Sequence, residues 1–142
     1  MRTFFFLALL SSIFALAAAC GGDDAPKPSA NAVTDEAYLK AICSGSSRFS
    51  EALLTKTKPE EIGQVIKEFS ASMKALTPPD DLKEYNQQFT KYLDDAVADP
   101  TSLVTRNPPL PKQAARDRLS GKESSVPECK DGTFFSRPTP GK

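Results

Sequence analysis

The sequence predicts an all-α fold, a small bundle of three main antiparallel helices with a short fourth helix and a disulfide-pinned irregular C-terminal segment. Three observations carry this expectation. Apolar residues recur at three- and four-residue spacing through three stretches between Tyr38 and Val97, which gives each stretch one apolar helical face. Proline-bearing segments separate the stretches. No segment shows the β-branched alternation of a strand.

The first helix is expected to begin after Thr34, an N-cap residue, with Asp35 and Glu36 in the first turn where they favour the helix dipole. Its stripe is Tyr38, Ile42, Phe49 and Leu53, with Gly45 in the intervening slot and Leu39 and Cys43 beside it. Ser44-Gly45-Ser46-Ser47 is a weak helical stretch, because glycine costs about 1 kcal/mol relative to alanine. Either the helix breaks there or small residues admit a close neighbour, and a continuous helix is the favoured reading.

The second helix opens at Thr57-Lys58-Pro59-Glu60, which matches a capping box with proline in the first turn. Ile62, Val65, Ile66, Phe69, Met73 and Leu76 form its stripe, and Lys67, Glu68, Ser72 and Lys74 the opposite face. Thr77-Pro78-Pro79-Asp80 forces a turn, since the residue before proline is restricted to extended conformations. Short connections make consecutive helices antiparallel neighbours. The third stripe is Leu82, Tyr85, Phe89, Tyr92, Leu93, Ala96 and Val97, ended by Asp99-Pro100.

Residues 101–110 read as a proline-interrupted connection. Lys112 to Leu119 form the short fourth helix, with Pro111 at its start and Gly121 past its end. A helix this short does not hold alone in water. The segment after it has no stripe of its own and needs a staple. Phe134 and Phe135 are placed to cover the bundle.

The N-terminus reads as an address. Arg2 precedes an uncharged run from Phe4 to Ala19, too short for a permanent span of about 20 residues and followed by Cys20-Gly21-Gly22-Asp23-Asp24. Leu16-Ala17-Ala18-Ala19-Cys20 resembles the lipobox of bacterial lipoproteins. Ala17 stands where that family usually has leucine, with Leu16 one position earlier. The resemblance implies a diacylglycerol on the Cys20 thiol, further acylation such as palmitate, and cleavage before Cys20. It covers only residues 1–22 and implies location, in the cell membrane or outer membrane, rather than activity. Ordinary secretion after Ala17-x-Ala19 is the alternative. Two acyl chains anchor stably where one does not.

The chain has three cysteines. If Cys20 carries lipid, Cys43 and Cys129 remain as an even pair, and an exported chain meets an oxidising setting. Two buried free thiols are the alternative. Closing so long a loop is worth roughly 4–5 kcal/mol. The expected organisation is therefore a cleaved signal peptide at 1–19, a lipidated cysteine and flexible tether at 20–34, a helical domain at 35–135 and a disordered tail at 136–142. The tether has a root-mean-square reach of roughly 20 Å.

Function is read mostly by exclusion. The 142 residues contain no histidine, which removes Ser-His-Asp and Cys-His chemistry and histidine metal sites. The formal net charge is zero, unlike the basic footprint of a nucleic-acid binder. No cofactor motif occurs. Asp94, Asp95 and Asp99 crowd the end of the third helix, where negative charge is disfavoured. They are a weak Ca²⁺ candidate, against the simpler reading of a solvated helix end. Tyr38, Tyr85 and Tyr92 either line a ligand cleft or fill the core. Ser44, Ser46 and Ser47 have no base to activate them. Residues 20–100 hold nine basic and fourteen acidic side chains, residues 101–142 eight and four. That asymmetry suits a basic tail lying on an acidic bundle, or an anionic envelope partner.

The expectation is an extracytoplasmic protein that resembles small helical lipoproteins of bacterial envelopes. Its partners would be the bilayer, through Cys20, and an envelope protein or polymer. A non-catalytic binding or interaction module is the leading reading. A carboxylate-dependent envelope enzyme and a structural accessory subunit are the alternatives.

Overall fold

The computed structural model describes residues 30–129 and 134–136. The expected signal peptide, the expected anchor at Cys20, most of the expected tether and residues 137–142 of the expected tail lie outside the described residues. The described chain is helical and contains no strand: α1 (Asp35–Thr55), α2 (Pro59–Lys74), α3 (Lys83–Asp95), the single turn α4 (Ser102–Thr105) and α5 (Gln113–Glu123). Short 3-10 turns occupy Asp80–Leu82 and Pro127–Cys129. No helix among the described residues is long and apolar enough to cross a membrane.

α1 starts as its residues require. The Thr34 hydroxyl accepts from the Ala37 amide at 3.2 Å. The helix runs unbroken through Ser44-Gly45-Ser46-Ser47. Gly45 is there for contact rather than for a break. A Cβ at this position would lie 2.0 Å from the Phe69 ring, so only glycine lets α2 approach this closely. The inward meridian of α1 is Tyr38, Ile42, Gly45 and Ala52, and Leu53 is 44% exposed. A helix turns every 3.6 residues. Over four turns that rotation brings Ala52 inward and carries Leu53 past the core.

α2 departs from the expected capping box. Lys58 is its N-cap and no side chain caps it. Lys58 has the extended backbone that a following proline demands, at φ −98° and ψ 128°. Pro59 therefore opens the helix one residue later than Thr57 would have it. Ile66, Phe69 and Met73 are buried, and Gly63 sits so close to the Val97 carbonyl that a Cβ would be 2.5 Å from it. α3 buries Tyr85, Phe89, Tyr92 and Leu93, with Leu82 before it and Ala96 after it. It ends at Asp95, short of Asp99-Pro100.

α1 packs on α2 and α2 on α3, while α1 also meets α5 and the Pro127–Cys129 turn. α5 starts at Gln113 and runs through Gly121 to Glu123, about one turn beyond the expected end at Leu119. Gly121 has open space around it and its backbone is not left-handed, so the helix continues through it. The tether is shorter than expected. The Val33 amide donates to the Thr77 carbonyl at 2.8 Å, and Val33 packs against the core. The last tether residues thus belong to the body.

Cys43 and Cys129 form a disulfide with Cα atoms 5.1 Å apart. It joins the middle of α1 to the turn beyond α5.

Candidate functional site

The C-terminal segment is placed by three kinds of link. The disulfide is one. Glu123 is the second: it is 3% exposed, and its carboxylate accepts from the Phe135 amide, the Ser136 amide at 3.2 Å and the Ser136 hydroxyl at 2.6 Å. The Arg116 Nε donates to the Phe135 carbonyl at 3.0 Å, a third link. Phe135 is buried and Phe134 packs partly buried against the core, as the sequence led one to expect. Ser136 is part of this packed segment rather than of the tail.

Sequence reasoning missed Glu123. The signal was present, because Ala115, Leu119 and Glu123 recur every four residues and all three are buried. A carboxylate on an apolar meridian needs donors there, and the backbone of 135–136 supplies them.

Among the described residues, part of the basic charge after residue 100 is paired with acids of α1 and of the turn before α3. Arg118 donates to both Asp35 and Asp81, and Lys122 reaches Asp35 at 3.0 Å and Glu36 at 2.9 Å. Burial pushes the Asp35 carboxyl up, but its bonds with Arg118 and Lys122 outweigh this and hold it below the ordinary value. The Arg118 guanidinium is pushed up by its bonds to Asp81 and Asp35. An acid held this way is a constant anion, unsuited to donating a proton near neutrality.

The acids at the end of α3 do not converge. Asp94 accepts from the Ser70 hydroxyl at 2.6 Å and from Lys74 at 2.5 Å. Asp95 accepts from Lys91 at 2.9 Å, and Asp99 takes the Thr101 amide and hydroxyl. Burial raises the Asp94 carboxyl while the Lys74 and Ser70 bonds lower it, with a net downward shift. Each carboxylate thus has its own partner, and that is how α3 tolerates negative charge at its C-terminus. Among the described residues no group of three metal-ligating side chains comes together, so the Asp94, Asp95 and Asp99 candidate is set aside.

The tyrosines divide. Tyr38 and Tyr85 are core residues. The Tyr38 hydroxyl donates to Asn86 Oδ1 at 3.0 Å, and Asn86 donates on to the Met73 carbonyl at 3.2 Å. The Tyr85 hydroxyl is buried without a hydrogen-bond partner. Burial pushes both phenols well above their ordinary value. Tyr92 does line a cleft. Its hydroxyl lies 3.0 Å from the Leu103 carbonyl and 3.2 Å from that of Arg106, and it ties down the chain around α4.

That cleft is an apolar cavity of about 150 Å³. Phe49 of α1, Phe69 of α2, Phe89 and Tyr92 of α3, Leu103 of α4 and Phe134 wall it, with Ser46 beside them. Among the described residues no charged side chain lines it. Each wall has a local cause. Gly45 brings α1 onto Phe69, the Tyr92 hydroxyl holds α4, and the C-terminal links hold Phe134. The sequence hid this site because Phe49, Phe69 and Phe89 read as core positions on three separate stripes and Leu103 as part of a connection, with Tyr92 alone weighed as a cleft residue. Only the fold leaves a space among them.

Comparison with protein-family models, with curated proteins and with solved structures finds no match for this chain.

Proposed function

We propose that this chain is a lipid-anchored, extracytoplasmic protein of a bacterial cell envelope, and that its helical body is a non-catalytic binding or interaction module. The observation that carries the location is the fate of the cysteines. Cys43 and Cys129 take each other, so Cys20, which follows the small-residue run Ala17-Ala18-Ala19, is the odd thiol. A structural disulfide also suits an exported protein. The binding role is supported by the apolar cavity, a concave space with no charged side chain among the described residues that line it. In this reading α1, α2 and α3 alternate in direction as an antiparallel bundle, as the short connections between them favour.

The mass of the mature protein tests the anchor. A chain beginning at Cys20 and carrying acyl groups is the expected result. An unmodified Cys20, or a chain cleaved elsewhere, overturns it. Affinity capture of the anchored protein from its own envelope tests the module.

A further inference from the structure

We propose that the cavity between α1, α2, α3 and Phe134 is a binding site for a small uncharged aromatic molecule, a single ring of benzene or toluene size. This deepens the binding-module reading and rests on it for its place in the protein's work.

Size sets the first limit. The cavity measures about 150 Å³. An apolar space of about that volume has room for a benzene-sized guest. It is too small for a peptide or a sugar polymer, so the envelope polymer considered from the charge pattern does not fit here.

Polarity sets the second. A charged guest would lie against apolar walls without a counter-charge, which is unfavourable. Among the described residues no lining side chain is charged. The Tyr92 hydroxyl already serves the Leu103 and Arg106 carbonyls.

The walls set the third. Phe89 meets Phe69 edge-to-face at 5.6 Å and 74°, and meets Phe134 in the same manner at 5.8 Å and 83°. Tyr92 lies roughly parallel to Phe89, with centroids 6.5 Å apart. A guest ring extends this array and gains edge-to-face contacts beyond its area burial. An alkane of equal volume gains the area alone. The site therefore selects rings.

The test uses the oxidised chain carrying Cys20→Ser, so that no acyl chain competes, with toluene as the probe. Saturable NMR shifts confined to Phe49, Phe69, Leu103, Phe134 and their neighbours are expected. Ser46→Leu projects a side chain into the space from α1 and should weaken binding by about tenfold or more, a change of about 1.4 kcal/mol. Leu103→Phe, on the peripheral turn α4, gives the same block if Ser46→Leu proves unstable. Absence of saturable shifts, or binding unchanged in both filled variants, overturns the site. Equal affinity for pentane, an alkane of similar volume to toluene, overturns the selection for rings. Because this chain carries no lipid, its failure to bind toluene removes the ligand assignment alone, while the anchor stands or falls on the mature mass.

Discussion

The first three helices and the C-terminal third are held by different forces. α1, α2 and α3 bury continuous apolar stripes against one another, with Tyr38, Ile42, Ile66, Met73, Phe89 and Leu93 at the centre. α5 and the residues beyond it add fewer large apolar side chains to the same core: Leu119, Val126, Phe134 and Phe135. They are held in addition by one covalent bond, one buried carboxylate and a set of ion pairs. Burial is non-directional and tolerates substitution of similar volume. Covalent and polar links are directional and fail when one atom is lost. The cavity lies where the two regions meet, since Phe134 closes a space whose other walls belong mostly to the first region.

Breaking the covalent link has the largest expected effect. Replacing Cys43 and Cys129 together with alanine should lower stability by about 4–5 kcal/mol, the loop-closure value. Denaturant unfolding of oxidised wild type and variant measures it. Truncating the buried carboxylate comes next. Glu123→Ala strands the Phe135 and Ser136 amides and should lower stability by about 1–3 kcal/mol. Loss of protection at these amides, with α2 and α3 unchanged, checks that the loss is local.

Gly45→Ala sharpens the comparison from the other side. It pushes a methyl into the Phe69 ring, and overpacking of this kind costs about 1–3 kcal/mol. Helix propensity returns at most about 1 kcal/mol. A net gain in thermal stability would show that α2 stands further from α1 than described.

The smallest effect belongs to the ion pairs. Arg118→Met should lower stability at neutral pH by about 1 kcal/mol or less, because the guanidinium is partly exposed. Asp35 is held below its ordinary value of 3.8. Its contribution is therefore present above that value and is lost as pH falls through the lowered one. The gap between wild type and variant melting temperatures should close as pH drops below about 3.8.

The same division explains what could be read in advance. Helices with stripes announced themselves, and the Thr34 cap and the continuous α1 follow from local chemistry. The Cys43–Cys129 pair followed from parity. The extension of α5 to Glu123 did not, because its only large apolar side chain is Leu119 and its glycine resembled a stop. The single turn α4 also escaped, since it depends on a tyrosine hydroxyl eleven residues away reaching Leu103. Residues 30–34 looked like tether because one backbone bond, from Val33 to Thr77, decides their place. The cavity was illegible for a related reason. Stripes report which residues turn inward and say nothing of whether they meet.

Native-state hydrogen exchange on the oxidised protein and on the Cys43→Ala/Cys129→Ala variant tests this division most directly. Amides of α5 and residues 134–136 should lose protection in the variant while those around Ile66, Phe69 and Phe89 keep theirs relative to global unfolding. Uniform loss across all the helices would contradict it, since the C-terminal third would then be integral to the core rather than fastened to it.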